Sequence, residues 1–272
     1  MKTGFKELDN IIKLNKNELI VIASRPAMGK STFVQNIISN MSIKENKSVL
    51  FYSLDVDKES VIKKFIISNS MVEYKKFNLY VSSKDKTGLS KEDKDRIAYA
   101  KKLLKNTKIY IDDTPNISIM DICLRCKKMK LEKDIDLVVI DYLQLISYDK
   151  SKLLSRDEEI SEILKELKVL AKTLDIPVII TSQLSSKCDK RENKRPMMSD
   201  FSDSKYGIYT YSDKVLFLYR DSYYNKDNKS NITEIIIGKN SHGEVGITKL
   251  AWMPEYCMFG NTIVNRGGKI EK

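Results

Sequence analysis

Residues 24–32 have the composition and spacing of a phosphate-binding loop. In order, they are Ser24, Arg25, Pro26, Ala27, Met28, Gly29, Lys30, Ser31 and Thr32. An apolar run precedes this segment and a helical pattern follows it, which is the setting that such a loop requires. Its backbone N–H groups would bind phosphates, Lys30 would reach the β- and γ-phosphates, and Ser31 would bind Mg²⁺. Ser24 replaces the first glycine of the general pattern G-x-x-x-x-G-K-[ST], so the motif alone is imperfect.

A carboxylate at the end of a second apolar run would complete this chemistry. The run LVVID ends in Asp141, which would lie beside Ser31 and orient the water molecules around Mg²⁺. An aspartate in this place can also be no more than a strand cap. A further apolar run that ends in Gln183 favours the metal-side role, and the sequence therefore predicts a site for ATP and Mg²⁺.

The elements that would position these residues alternate between short β-branched runs and amphipathic stretches. Predicted strands cover residues 18–24, 48–54, 108–113, 136–142 and 177–183, and predicted helices cover 30–41, 58–70, 91–105, 118–131 and 157–174. This alternation predicts an α/β fold with a mostly parallel twisted sheet flanked by helices. Three later strands at 214–220, 233–239 and 246–252 predict an antiparallel C-terminal edge.

Length and composition favour one large domain. The chain has 272 residues, of which 42% are hydrophobic; we assign 1–260 to the domain and 261–272 to a flexible basic tail. No apolar run is long enough to cross a membrane, which predicts a soluble cytoplasmic protein. The net charge of +11 suits a partner with a phosphate backbone. The excess is mostly lysine spread along the chain, as an AT-rich genome would also produce.

Cysteine and histidine usage does not indicate a zinc site. Cys123 and Cys126 have the C-x2-C spacing but lie in a helical stretch with no second cysteine pair, so we interpret the four cysteines as free thiols. His242 is the single histidine of the chain, and we assign it neither general-base nor metal chemistry.

Several ordered segments resemble one known family. RPAMGKS, IDYLQLI and TSQL, together with TGFKELD near the start and EIIIGKNSHGEVG near the end, resemble the C-terminal ATPase domain of DnaB-type replicative DNA helicases. The resemblance runs nearly end to end. It implies a RecA-like P-loop fold, ATP-driven 5′–3′ movement along single-stranded DNA in replication, and a homo-oligomer, namely a hexameric ring. Replisome or helicase-loader proteins are the further partners that it implies.

By this resemblance, matching positions take the family's roles. Lys30, Ser31 and Asp141 would bind the phosphates and Mg²⁺, Gln183 would sense the γ-phosphate, and Arg220 would lie near the nucleotide base. Two positions depart from the family pattern. Asp55 stands where the family has its catalytic glutamate, and the K-x-R-x-G strand end reads Lys239, Asn240, Ser241, His242, Gly243. The lysine is kept but the arginine finger is lost, and we therefore expect slow hydrolysis.

The segment that would hold DNA also departs from the family. The family's R-E-S-G reads Ser202, Asp203, Ser204, Lys205, so its phosphate-binding arginine is absent. Cations upstream would supply an electrostatic track instead. They are Lys187, Lys190, Arg191, Lys194 and Arg195.

Two alternatives stay open at this point. The substitutions at Asp55, Ser241 and Ser202 would also suit a degenerate ATP-binding module that recruits or regulates a helicase. A RecA/RadA-like recombinase or a KaiC-like ATPase would share the fold. The family's N-terminal collar and linker helix have no counterpart here, which fits an excised motor domain or a stand-alone relative; Met1 favours the latter.

Overall fold

Runs of Val, Ile and Leu form the central strands, because apolar and β-branched side chains pack well on both faces of a buried sheet. In a computed structural model, which describes residues 1–83, 88–148, 155–202 and 205–262, one sheet contains nine strands. They are β1 (Leu19–Ser24), β2 (Val49–Ser53), β3 (Ile109–Asp112), β4 (Leu137–Asp141), β5 (Val178–Gln183), β6 (Lys214–Tyr219), β7 (Ile232–Asn240), β8 (Gly246–Met253) and β9 (Met258–Asn261).

The order of the strands confirms the predicted fold class. It is β3-β2-β4-β5-β1-β6-β7-β8-β9. Neighbouring strands from β3 to β6 are parallel, and β7, β8 and β9 continue the sheet antiparallel. The carboxyl ends of β1, β4 and β5 consequently lie side by side at one edge of the sheet, where a ligand of an open parallel sheet normally binds.

Helices cover both faces of this sheet. They are α1 (Lys6–Asp9), α2 (Lys30–Lys44), α3 (Lys58–Ser70), α4 (Tyr74–Ser82), α5 (Lys91–Lys105), α6 (Ile119–Lys133), α7 (Arg156–Leu174), α8 (Lys205–Tyr211) and α9 (Asp221–Tyr224). The five predicted helices are all present. Four of these five begin at a polar cap. For example, Ser155 and Glu158 form a reciprocal capping box at α7, and Asp57 accepts a hydrogen bond from Ser60 N at α3.

Alternate side chains of β1 enter two separate cores. Leu19, Val21 and Ala23 pack with α6 and α7 on one face, whereas Ile20 and Ile22 pack with α2 and α3 on the other. Each of these five side chains is fully buried. A strand buried on both faces needs a continuous apolar run, and this is why periodicity in the sequence locates it so well.

The sequence does not predict α1, α4, α8, α9 or β9. The sequence predicts a long polar loop from 185 to 213, yet its last part, Lys205–Tyr211, folds into α8. A Cβ on Gly207 would lie 2.8 Å from Ser161 Cα of α7, so glycine permits a close helix contact that periodicity cannot indicate. The sequence predicts that the chain frays from about Gly260. In the structure, Gly260 of β9 pairs with Ala251 of β8. The remaining tail, 263–272, lies outside the described residues.

No helix in the described part of the chain is long and apolar enough to cross a bilayer. All four cysteines are free thiols. Cys126 is buried beside the Tyr52 hydroxyl, with 3.6 Å between sulfur and oxygen, and burial raises the pKa of this thiol to about 12. The C-x2-C pair of α6 therefore contributes to packing.

Candidate nucleotide-binding site

The predicted phosphate loop connects β1 to α2, and its backbone at Gly29 has a conformation that favours glycine. Gly29 has a φ of +93° and Ala27 a φ of +62°, both in the left-handed region that favours glycine. A Cβ on Gly29 would lie 2.9 Å from Phe259 Cζ of β9, so the C-terminal strand closes one side of the loop. Gly29 caps α2 without a side-chain hydrogen bond. The N–H groups of the first turn can therefore bind an anion.

A pocket of about 290 Å³ lies over this loop. Its lining contains every residue from Ser24 to Thr32. Asp55, after β2, and Gln183, at the end of β5, line the same pocket. Gln183 is paired in register with Ser24, and its backbone N–H donates to Gln144 Oε1 at 3.4 Å. The structure thus brings the loop, the predicted catalytic acid and the predicted γ-phosphate sensor together.

Asp141 ends β4 near Lys30 but does not itself line the pocket. Its side chain is buried and accepts a hydrogen bond from Thr181 Oγ1 at 2.5 Å. The Asp141 charge acts on Lys30. Burial lowers the pKa of the Lys30 ammonium, and the negative charges of Asp141 and Asp55 oppose that effect. A poorly hydrated ammonium beside two carboxylates is well placed to bind the phosphates of a nucleotide, since electrostatic attraction is stronger where water is excluded.

Tyr142 is a site residue that the sequence does not single out. It follows Asp141 directly, lines the pocket, and places its ring 4.8 Å from Lys30 Nζ, within the range of a cation–π contact. Burial raises the pKa of the Tyr142 phenol, with Asp55 and Asp141 adding to the effect. Its position directly after the strand-end aspartate could have indicated a place in the site, but an aromatic residue after a strand is usually a packing residue.

Arg220 contacts the loop and does not line the pocket. It follows β6, and its Nη2 donates to the Ala27 carbonyl at 2.8 Å. The guanidinium carbon lies 5.3 Å from the Trp252 ring centroid. Burial lowers the pKa of this guanidinium. Its predicted place near the nucleotide base stays a prediction, and its contact shows that it supports the backbone of the loop.

The residues present fit ATP and Mg²⁺. The positive helix start, Lys30 and the loop N–H groups match polyphosphate, while the Ser31 hydroxyl and the Asp141 carboxylate are oxygen ligands of the type that Mg²⁺ prefers. A larger cavity of about 730 Å³ follows the edge strand β3. None of the predicted site residues that the structure describes lines that cavity. We assign the nucleotide to the smaller pocket because the residues with the matching chemistry line that pocket.

Lys239 and Ser241 lie at the opposite end of the sheet from this pocket. Lys239 pairs with Val215 near the start of β6, whereas the phosphate loop leaves the end of β1, which is parallel to β6. The Lys239 ammonium donates to the carbonyls of Tyr209 at 2.7 Å and Ser212 at 2.5 Å. Burial lowers the pKa of Lys239. It cannot serve the pocket of its own chain, so a catalytic role requires a neighbouring subunit.

The predicted DNA-binding cations separate into two groups. Lys187, Lys190 and Lys205 are exposed, and Lys194 lies over the Tyr224 ring at 5.5 Å. The two arginines have carboxylate partners instead. Arg191 binds Asp200 at 2.6 and 2.8 Å, and Arg195 binds Glu234 at 2.6 and 2.7 Å.

These two bidentate ion pairs give Arg191 and Arg195 a role in holding the local fold together. The lysines are therefore better candidates than the arginines for contacting a phosphate backbone. Ser202 is exposed at the end of this segment, and Asp203 lies outside the described residues.

A phosphate loop between β1 and α2, beside the strand ends that carry Asp141 and Gln183, defines a RecA-like P-loop nucleotide-binding domain. The chain belongs to the DnaB-like helicase C-terminal domain family, which matches residues 1–261. This membership disfavours a RecA/RadA-like recombinase or a KaiC-like ATPase.

Similar proteins agree with this assignment. The replicative DNA helicase DnaB of Geobacillus stearothermophilus is 41% identical over 262 residues, which is 95% of this chain and 56% of that protein. The replicative DNA helicase DnaC of Bacillus subtilis is 40% identical over 261 residues, with the same coverage. A solved ATPase domain superposes with a TM-score of 0.89 at 34% identity, covering 96% of this chain and 90% of that one. The chain spans about half the length of the curated relatives it matches.

Proposed function

We propose that this chain is the motor domain of a replicative DNA helicase, which hydrolyses ATP to move along single-stranded DNA. The observation that carries the proposal is the pocket that unites the phosphate loop, Asp55 and Gln183 in a domain of the DnaB-like family. The relatives are replicative helicases by name. Such a motor would work in the cytoplasm, with 5′–3′ polarity.

In this proposal the residues of the pocket divide the chemistry. Lys30 and the loop N–H groups bind the β- and γ-phosphates. Ser31 and Asp141 would hold Mg²⁺, which supplies positive charge to the phosphates when bound. Asp55 orients the attacking water from one side, and Gln183 registers the γ-phosphate from the next strand. Arg220 keeps the Ala27 carbonyl, and with it the loop, in place.

We further propose that the active form is a hexameric ring. Lys239 and Ser241 lie at the far end of the sheet from the pocket, so one chain would complete the site of the next. Primase appears with a DnaB-like helicase in a structure that superposes with a TM-score of 0.89 at 34% identity. Replisome and helicase-loader proteins are accordingly the protein partners that we propose.

Steady-state ATPase activity, measured with and without single-stranded DNA, tests this proposal. We expect a slow basal rate, because Ser241 replaces the finger arginine, and stimulation by DNA. A second candidate function rests on the same serine: a degenerate ATP-binding module that recruits or regulates a helicase. Tight ATP binding with turnover that DNA does not raise would favour the module over the motor.

The binding of single-stranded DNA should depend steeply on salt, because cationic side chains displace counterions from the phosphates. Neutralising Lys187, Lys190 and Lys194 to glutamine is expected to reduce the slope of log affinity against log salt by about 2, at about 0.7 per phosphate contact on single strands. Fluorescence anisotropy of a labelled oligothymidylate at several salt concentrations measures that slope.

Two controls make this result specific. Glutamine at Lys101, Lys102 and Lys105, which are exposed on α5, gives the same change of charge and should leave the slope unchanged. Glutamine at Arg191 should lower the melting temperature and change the slope little, since it leaves the buried Asp200 carboxylate without its arginine partner. Equal slopes for the wild type and the triple lysine variant would contradict the assignment of the segment to DNA.

A further inference from the structure

Residues 184–201, which follow β5 and carry most of the predicted DNA-binding cations, form a lobe that is tied together internally. The Asp200 carboxylate is 1% exposed and accepts from both Arg191 Nη atoms and from Met197 N at 2.8 Å. The Asp200 carbonyl accepts from Ser185 N at 3.1 Å and Ser185 Oγ at 2.9 Å. The beginning and the end of the 184–201 lobe are therefore fastened to each other.

One ion pair fastens this lobe to the phosphate loop. Arg25 Nε donates to Asp189 Oδ2 at 3.0 Å and Arg25 Nη2 lies 2.9 Å from the same oxygen, while Arg25 Nη1 donates to the Leu184 carbonyl at 2.8 Å. The other Asp189 oxygen accepts from the Tyr224 hydroxyl at 2.6 Å. Burial alone would raise the pKa of Asp189, but hydrogen bonds from Tyr224 and Arg25 bring it below its ordinary value. The carboxylate is thus charged and fully engaged at neutral pH.

The two ends of this ion pair belong to different sites. Arg25 is the second residue of the phosphate loop and lines the nucleotide pocket. Asp189 lies between Lys187 and Lys190, the exposed lysines that we assign to DNA. Gln183, the proposed γ-phosphate sensor, directly precedes the lobe. A further ion pair, between Arg195 and Glu234, links the lobe to β7.

We propose that Asp189 is a positioning residue that couples the nucleotide pocket to the DNA-binding surface of the 184–201 lobe. This inference rests on the proposed function. Asp189 touches neither ligand in this scheme; it acts through Arg25. Arg25 contacts one oxygen of the Asp189 carboxylate and the Tyr224 hydroxyl binds the other, so the orientation of the carboxylate is fixed as well as its distance. A displacement of the phosphate loop by bound phosphates is therefore passed to the lysines, and DNA on the lysines biases the loop in return.

The test measures a thermodynamic cycle. The affinity of a non-hydrolysable ATP analogue with Mg²⁺ is determined with and without oligothymidylate, and the affinity for oligothymidylate with and without the analogue. Both ratios must equal one coupling factor, because coupling between two sites is reciprocal. For the wild type we expect a factor of about 10, and for Asp189→Asn a factor below about 2. Each affinity measured alone should change less than about threefold, since the ion pair is partly exposed.

Matched variants separate coupling from general damage. Glu192→Gln makes the same change of charge at an exposed position of the lobe and should keep the wild-type factor. Asp189→Glu, which keeps the charge, should retain most of it. If Asp189 had a purely structural role, its replacement would lower both affinities but leave the coupling factor unchanged. The coupling factor is therefore the decisive quantity.

The outcomes are distinct. Asp189→Asn with the coupling factor of the wild type would overturn the inference and leave the proposed function standing. A wild type that binds no oligothymidylate, or no analogue, would overturn the proposed function together with the inference. If Asp189→Asn does not fold, Tyr224→Phe decides, because it removes one hydrogen bond from Asp189 and keeps the ion pair. It should lower the factor about twofold or more, and an unchanged factor would again refute the coupling role.

Discussion

Replacing Lys30 with alanine is expected to lower ATP turnover by about 100-fold or more, the effect of removing one well-placed charged donor from a phosphoryl-transfer site. The reason is visible in the pocket. Burial lowers the pKa of the ammonium against the opposing charges of Asp141 and Asp55, and the Tyr142 ring lies beside it. The Lys30 side chain therefore contributes little to the stability of the fold, and the variant should still fold.

The measurement combines steady-state ATPase rates with the affinity for a fluorescent ATP analogue and the melting temperature. Lys44→Ala is the matched control, because Lys44 ends the same helix that Lys30 begins. That control should keep the wild-type rate, and both variants should melt within a few degrees of the wild type. Normal turnover by Lys30→Ala would show that the nucleotide does not bind in this pocket, and it would contradict the proposed motor function.

Much of the fold follows from local sequence pattern. Strands β1, β4 and β5 begin as apolar runs, and α7 keeps one apolar face from Ile160 to Leu174. A parallel sheet then places the carboxyl ends of neighbouring strands at one edge, whatever the details of packing. The meeting of Asp141 and Gln183 beside the phosphate loop could therefore be expected from the sequence.

The remaining features depend on contacts between residues distant in sequence. Helix α8 lies in a segment without helical periodicity, and Gly207 allows it to approach Ser161 of α7 closely. The partners of Arg191 and Arg195 could not be predicted, since a basic segment looks the same whether its charges face DNA or carboxylates. Asp200 is buried and Glu234 lies 39 residues from Arg195. Only the folded chain shows which cations have intramolecular partners.

Replacing Ser241 with arginine is expected to raise the rate of ATP hydrolysis. Ser241 is exposed and follows β7, and its N–H donates to the Asp213 carbonyl at 2.9 Å, so its backbone is held while its side chain is free to change. In a ring this strand end would face the pocket of the next subunit. A guanidinium there stabilises charge that develops only in the transition state.

The size of the gain depends on Asp55. A finger arginine can contribute about 10³–10⁵ in rate, but a carboxylate one methylene shorter than glutamate still has to orient the water. We therefore expect about tenfold or more from Ser241→Arg alone. The double variant with Asp55→Glu should exceed either single variant, because the two groups act on one step. Ser82→Arg, at an exposed position of α4, adds the same charge elsewhere and should have no effect.

A mixing experiment shows whether the arginine acts on its own chain or on a neighbour. A chain that carries both Lys30→Ala and Ser241→Arg has no working pocket of its own but presents the new arginine. Mixed with wild-type chains, it should raise the rate per wild-type chain if the arginine completes a neighbouring site, whereas Lys30→Ala alone should not. A fast wild-type enzyme that neither substitution improves would show that the catalytic geometry differs from the one proposed. A protein that stays monomeric with ATP and DNA would leave Ser241 without a site to complete, and the regulatory module would then be the better account.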